Sequence, residues 1–155
     1  MKTLVLGIGN TLLSDEGVGV HAINQLQAIG TLPPGVELLD GGTLSFILAG
    51  AIEDADSLIV IDAAELESVP GTVQTFIGDN MDRFLGANRK RSVHEVSLLD
   101  LMAVAHLAGH LPERRALIGI QPRIVDWGDA PSPEVAAAIP HACSIVMNLI
   151  GEWKQ

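Results

Sequence analysis

Short apolar runs alternate along the chain with stretches in which apolar residues recur at helical spacing. The nearly continuous apolar run at 2–8 is typical of a strand that is buried on both faces of a parallel sheet. From Gly17 to Ile29 the apolar positions follow a helical period, which predicts a helix. The pattern then predicts a strand at 36–40, a helix at 44–55 and a strand at 57–62. This strand–helix alternation predicts parallel strands joined by right-handed crossovers.

The second half of the chain continues the same organisation with one interruption. It predicts an edge strand within 70–78, an irregular charged segment at 79–93, a helix at 97–111, a buried strand at 114–122 and a C-terminal helix at 133–154 that contains Pro140. No composition shift or linker divides the chain. We therefore predict one α/β domain over 1–155, with a mostly parallel, twisted sheet of about five strands and helices on both faces.

The charge balance and the single cysteine restrict the classes of function. The chain carries 19 acidic and 9 basic residues, for a net charge of −10, which argues against a nucleic-acid partner. One cysteine, Cys143, excludes an internal disulfide framework and is expected in the core. No apolar run approaches the roughly 20 residues of a membrane-spanning helix, and the N-terminus resembles a buried strand more than a signal peptide. We predict a cytoplasmic protein without a membrane partner.

The segment GIGNTLLSDEGVGVHA at 7–22 begins like a nucleotide-binding turn. Gly7 and Gly9 follow a predicted strand, and Asp40 lies where a dinucleotide-binding fold places its ribose-binding acid. However, Leu12 stands where the fingerprint needs a third glycine. The acids of SDEG would also repel a pyrophosphate, by several kcal/mol for like charges about 4 Å apart near a protein surface. A nucleotide-binding domain is therefore the less favoured alternative.

Carboxylates at the ends of parallel strands suit a cation better than an anion. Glu16 follows the first predicted strand and Asp62 comes directly after LIVI of the third. Each also has an ordinary explanation, because acids often cap helices or occupy their first turn. His94 lies just ahead of a predicted helix, whose N-terminus favours the neutral imidazole that binds metals. Oxygen and nitrogen donors of this kind suit Ni²⁺ or Zn²⁺, so these residues form a candidate divalent-metal site.

Five sequence blocks together resemble the hydrogenase maturation endopeptidases. The blocks span nearly the whole chain: VLGIGNTLLSDEGVGV, LLDGGT at 38–43, LIVIDA at 58–63, SVHEVSLLDLM at 92–102 and LIGIQP at 117–122. Members of this family are nickel-dependent proteases that trim the C-terminal tail of the [NiFe]-hydrogenase large subunit. The resemblance implies the same activity for this chain, with the large-subunit precursor as its partner.

The resemblance also assigns roles to individual residues. Glu16, Asp62 and His94 match the family's metal-contacting positions, and Asp40 in DGGT matches an acid important for activity. By this resemblance, nickel already inserted in the precursor completes its coordination with the first three residues, and cleavage follows loading. Asp40 or Glu16 would then act as general base on water, as in an aspartic-type endopeptidase. The resemblance does not distinguish between the two acids.

A non-enzymatic module that binds nickel and passes it on would use the same acids and His94, and it stays open as the main alternative function. Asp15 is expected to be a neighbouring helix-capping residue rather than a ligand. Trp127, in the loop DWGD, is expected to pack against the rest of the chain, with contact to a substrate as the alternative.

Overall fold

A computed structural model describes residues 1–43, 45–88 and 96–154. Its sheet has five strands in the order β2-β1-β3-β5-β4. The strands are β1 (Thr3–Ile8), β2 (Val36–Gly42), β3 (Ser57–Ala63), β4 (Val73–Ile77) and β5 (Arg114–Ile120). The first four in spatial order are parallel, and β4 is antiparallel to β5 at the edge. The predicted fold class, including the edge strand within 70–78, is confirmed.

Helices cover both faces of this sheet. They are α1 (Val18–Ile29), α2 (Leu48–Glu53), α3 (Asp79–Ala87), α4 (Leu98–Leu107) and α5 (Pro133–Trp153). Successive side chains of a strand point to opposite faces, so Val5 packs in the cluster formed with α1 and α5, whereas Leu4 and Leu6 pack with α2 and α4. Every central strand is thus buried on both sides, which is why its sequence is continuously apolar.

Three helices differ from the sequence prediction. The segment predicted as irregular contains α3, a short helix in which Met81 is buried. Its apolar positions recur at helical spacing, a signal that the sequence prediction missed, and Asp79 and Asp82 in its first turn suit a helix N-terminus. Asp82 also fixes the helix to β5, because its two carboxylate oxygens accept hydrogen bonds of 3.0 and 2.6 Å from Arg115. The other two differences are in α2, which begins at Leu48 rather than at residue 44, and in α4, which ends at Leu107 rather than at residue 111.

The C-terminal helix α5 matches the predicted bounds within one residue but is more apolar than expected. At 21 residues it is long and apolar enough to cross a membrane by length and composition, contrary to the expectation that no such run exists. One of its faces is buried in the core, including Val135, Val146 and Cys143. The Cys143 thiol donates a 3.6 Å hydrogen bond to the Ala22 carbonyl, and burial raises its pKa. We therefore assign α5 as a core helix, and Cys143 lies in the core as predicted.

Candidate active site

A cavity of about 840 Å³ lies at the carboxyl ends of the parallel strands. Its wall includes Gly9 after β1, Thr43 after β2 and Asp62 near the end of β3. On another side it is closed by Ser97 and Leu98, where α4 begins with a capping box. This is the edge of an open α/β sheet at which ligands bind.

The charged side chains among the described residues that line the cavity are all acidic. They are Glu16, Asp62 and Glu65, and neither a lysine, an arginine nor a histidine is found in this described lining. Apolar side chains such as Leu13 and Phe84 make up much of the remaining wall. Because low-dielectric walls concentrate the field of fixed charges, the described lining favours a cationic ligand over an anionic one.

Glu16 reaches this cavity because the chain turns tightly above β1. It lies in a 3₁₀ turn, Ser14–Gly17, that leads into α1. A Cβ atom on Gly9 would lie 1.8 Å from the Glu16 carbonyl oxygen, and Gly9 has a φ of 142°, so only glycine permits this approach. The Gly9 amide donates a 2.8 Å hydrogen bond to the Gly42 carbonyl, which joins the turn to the end of β2. The glycine at position 9 thus allows the tight turn that brings Glu16 to the cavity.

Asp62 reaches the cavity directly from the middle of the sheet. It lies on β3 opposite Gly119 of β5, after a run of four fully buried residues at 58–61. The chain that follows, which is described from 64 to 72, is a loop to β4 and contains no helix. The alternative that Asp62 caps a helix is therefore wrong, and its half-buried carboxylate lines the same cavity as Glu16.

Asp40 has a different position from the other predicted acids. It is exposed on β2, opposite Gly7, and it is not among the residues that line the cavity. Its Oδ1 accepts a 2.8 Å hydrogen bond from the amide of Gly42, which has a φ of 50°. Since Gly42 and Thr43 do line the cavity, Asp40 shapes the turn that forms this wall.

His94, the third predicted ligand, lies outside the described residues. The nearest described residues on either side of it, Asn88 and Val96, both line the cavity. Within the described ranges, no three His, Cys, Asp or Glu side chains group closely enough to hold a metal ion. The described structure thus brings together two of the three predicted metal contacts, Glu16 and Asp62.

Asp15 has a role that the sequence did not reveal. It is fully buried, and its Oδ2 accepts hydrogen bonds of 2.8 Å from the amides of Arg123 and Ile124 and from the Ser132 hydroxyl. Its Oδ1 accepts a 2.6 Å bond from the Ser132 amide. Burial alone would raise the pKa of this carboxyl, but these hydrogen bonds outweigh it and hold the pKa below its ordinary value. We call this set of contacts the Asp15 clamp.

Glu65 is a further acid at the cavity that sequence reasoning missed. Its Oε2 accepts a 3.0 Å hydrogen bond from the side chain of buried Gln121, and its Oε1 accepts one of 2.9 Å from the Glu67 amide. The hydrogen bond from Gln121, more than any other contact, lowers the pKa of Glu65. The signal was available, because Glu65 follows DAA directly beyond β3 and lines the same cavity as Asp62.

An exposed apolar surface borders the cavity on the side of the 122–128 loop. Trp127 is 81% exposed, so the expectation that it packs against the chain is wrong. Leu12 is 59% exposed and its carbonyl accepts a 3.0 Å hydrogen bond from the amide of Gly128, next to Trp127. Val125 is also exposed and lines the cavity itself. We call Leu12, Val125 and Trp127 the apolar lip.

Comparison with known proteins identifies relatives with the same fold. A family model described as hydrogenase maturation protease matches residues 20–149. The hydrogenase expression/formation protein HupD of Rhodobacter capsulatus is 40% identical over 153 residues, covering 98% of this chain and 72% of the relative. The hydrogenase 2 maturation protease of Escherichia coli K12 is 33% identical over 153 residues, covering 98% of this chain and 92% of the relative.

The fold agrees with these sequence matches. The solved structure of the hydrogenase maturating endopeptidase HybD from E. coli superposes with a TM-score of 0.88 at 32% identity, covering 98% of this chain and 93% of that one. Sequence and structure therefore agree over nearly the full length of the chain. On these grounds the chain belongs to the hydrogenase maturation protease family and is a peptidase.

Proposed function

We propose that this chain is a nickel-dependent endopeptidase that removes the C-terminal extension of a [NiFe]-hydrogenase large-subunit precursor after nickel insertion. The observation that carries the proposal is the meeting of Glu16 and Asp62 in one cavity, in a chain of this family. The acidic character of the described lining supports a cationic group in the substrate. The cytoplasmic location predicted from the sequence is part of this proposal.

Nickel belongs to the substrate in this proposal, because the precursor brings it in with its own cysteine ligands. Glu16, Asp62 and His94 complete its coordination, and two carboxylates with one imidazole are a donor set that suits a divalent transition metal. The ion, once bound, holds the processed segment of the precursor against the two carboxylates. His94 is two residues before Val96, which lines the cavity, and two residues span at most about 7 Å.

Peptide hydrolysis needs a base that takes a proton from the attacking water. We assign this role to Glu16, because Glu16 lines the cavity whereas Asp40 does not. The proton passes to the nitrogen of the scissile bond as that bond breaks, which releases the C-terminal peptide. Asp40 stays the alternative base, since it lies two residues before the wall that Gly42 forms.

The test compares nickel-loaded and metal-free large-subunit precursor, each incubated with this chain and followed by intact mass. We expect loss of a C-terminal peptide from the loaded form only. An absence of cleavage across several loaded precursors, with nickel still bound by the chain, would replace this proposal with the non-enzymatic nickel-binding module. Cleavage of the metal-free form at the same rate would remove nickel from the mechanism.

The assignment of the base is tested with Glu16→Gln and Asp40→Asn on the loaded precursor. Each substitution removes the ionised carboxylate while preserving the size of the side chain. We expect the larger loss of kcat in the Glu16 variant. A larger loss in the Asp40 variant would transfer the role to Asp40, and normal rates in both would show that neither residue is the base.

A further inference from the structure

We propose that Asp15 is a positioning residue for cleavage. Its buried carboxylate holds the loop at 122–132 in a fixed position relative to Glu16, and both contribute to the cavity wall. This inference rests on the proposed function, because it assigns Asp15 an effect on catalysis that is transmitted through Glu16. Asp15 itself lines no part of the described cavity wall, so it has no direct contact with a ligand there.

The two acids of SDEG have opposite surroundings although they are neighbours in one 3₁₀ turn of four residues. Asp15 is 0% exposed and uses both carboxylate oxygens within the protein, whereas Glu16 is half-buried and lines the cavity. Their Cα atoms are about 3.8 Å apart across one peptide bond. Loss of the hydrogen bonds that hold the Asp15 carboxylate would therefore release a constraint on the backbone that also carries Glu16.

The clamp joins parts of the chain that are far apart in sequence. The donors to Asp15 are 108 to 117 residues away from it. Two backbone bonds of 2.9 Å run alongside, from the Ser14 amide to the Gly128 carbonyl and from the Asp15 amide to the Ile124 carbonyl. The loop reached in this way supplies Pro122 and Val125 to the cavity wall. The clamp thus connects Glu16 to the part of the cavity wall that Pro122 and Val125 form, more than 100 residues later in the chain.

Backbone strain in the turn indicates that these contacts are needed to keep its shape. Ser14 has a φ of 51°, a conformation that costs a residue other than glycine about 1–3 kcal/mol. Its hydroxyl donates a 2.8 Å hydrogen bond to the Asp126 carbonyl, which is part of the same loop. A strained turn persists only where its surroundings over-determine it, so weakening the clamp lets the turn relax.

The chemistry of the clamp requires a carboxylate rather than a side chain of the same shape. All four groups that face Asp15 are donors: three backbone amides and one hydroxyl. The amide of asparagine has one accepting oxygen, so its NH₂ group would face at least one backbone N–H. Asp15→Asn therefore preserves size but breaks the pattern of donors and acceptors, and it leaves a buried donor unsatisfied.

The test is a double-mutant cycle between Asp15→Asn and Glu16→Asp, measured on nickel-loaded precursor. Glu16→Asp retains a carboxylate one methylene shorter, and long incubations followed by intact mass keep slow variants measurable. We expect Asp15→Asn alone to lower kcat by about 10- to 100-fold with KM within about twofold. Added to Glu16→Asp, it should lower kcat by less than about threefold, because the displaced carboxylate has already lost its position.

Ser132→Ala is the milder companion variant. It removes the hydroxyl donor to Asp15 and retains the backbone amide, so we expect a loss of kcat smaller than that of Asp15→Asn. In the Glu16→Asp background this loss should also shrink to less than about threefold. It also covers the case in which Asp15→Asn does not fold. Losses that multiply fully in the double variants, or a raised KM with unchanged kcat, would overturn the inference.

Hydrogen exchange separates a failure of this inference from a failure of the proposed function. We expect faster exchange in Ser132→Ala at the amides of Asp15, Glu16, Arg123 and Ile124 together, at unchanged overall circular dichroism. Unchanged exchange at Glu16 would overturn the positioning role whether or not a precursor is cleaved. If wild-type protein cleaves no loaded precursor, the proposed function fails, and this exchange pattern alone decides whether Asp15 positions Glu16.

Discussion

The two ends of the sheet carry acidic hollows of different character. At the carboxyl end, a cavity of about 840 Å³ contains Glu16 and Asp62. At the amino end, a hollow of about 460 Å³ is lined by Asp54, Asp56 and Glu113, among others. Both ends are therefore acidic, so the presence of carboxylates does not by itself distinguish a site from an ordinary surface.

The difference lies in how the backbone holds the acids. At the amino end, Asp56 accepts a 2.7 Å hydrogen bond from the Lys2 amide, an ordinary contact between the starts of two strands. At the carboxyl end, a buried carboxylate fixes the turn that presents its neighbour Glu16 to the cavity. In the described chain, the non-glycine residues with positive φ are Ser14 and Glu67, and both follow strands at this end. Strain of this kind concentrates at functional sites.

The largest effect that we expect comes from replacing the acids at the carboxyl end with amides, and the same replacement at the amino end is the control. Glu16→Gln and Asp62→Asn should each lower the cleavage rate on loaded precursor by about 10²- to 10⁴-fold. Asp54→Asn and Glu113→Gln, at the amino end, should stay within about twofold of wild type. The rates are measured by intact mass. A comparable loss from either amino-end variant would end the functional distinction between the two hollows.

The next effect concerns the close packing of α1 on the carboxyl end of the sheet. A Cβ atom on Gly19 would lie 2.2 Å from the Ile61 carbonyl oxygen and 2.4 Å from that of Ile8. Gly19→Ala should therefore lower the free energy of unfolding by about 1–3 kcal/mol or more. In α2, Gly50 has no atom within 4 Å of the same position, so Gly50→Ala should stabilise by about 0.4–1 kcal/mol.

Urea denaturation of both alanine variants gives the comparison directly. Equal stabilisation by the two substitutions would mean that helix propensity, which favours alanine over glycine, sets the effect, and not the contact with the strand carbonyls. The Gly19 variant should also lose cleavage, because Gly19 packs against the strands from which Asp62 and the SDEG turn extend.

The parts of the fold that the sequence predicted are those that packing alone determines. β1 and β3 were predicted within a residue because burial on both faces requires a continuous apolar run. The helix α3 was missed although Met81, Phe84 and Leu85 recur at helical spacing, because it is nine residues long and as rich in polar as in apolar side chains. Its stability depends on tertiary contacts such as Arg115 with Asp82, which no local pattern contains.

Contacts between distant segments also limit what the sequence predicts about the candidate site. Glu16 and Asp62 could be predicted because each follows an apolar strand, and parallel strands end at a common edge. Asp15 could not, because its partners lie 108 to 117 residues away and most of them are backbone amides that carry no sequence signal. The role of His94 stays a prediction, since His94 lies outside the described residues.

A smaller effect is expected from the apolar lip. Trp127→Ala should raise KM for the precursor by about five- to tenfold, since truncation of an interface tryptophan costs about 1 kcal/mol or more, and it should leave kcat unchanged. Leu107→Ala is the matched control, because Leu107 is 86% exposed at the other end of α4. Equal KM values for the two variants would exclude the lip from precursor binding.

The smallest effect is expected at the amino end, where Lys2 Nζ lies 2.8 Å from Glu37 Oε2 with the side chains 42% and 45% exposed. Exposed ion pairs contribute little because water and salt screen them, so Glu37→Gln should shift Tm by no more than about 2 °C. The difference should vanish near 1 M salt, where the screening length is about 3 Å. Cleavage should be unchanged, because Glu37 lies at the amino end of the sheet and takes no part in the buried hydrogen bonds that fix the SDEG turn at the carboxyl end. A loss of cleavage in this variant would mean that the edge strand β2 itself contributes to binding of the precursor.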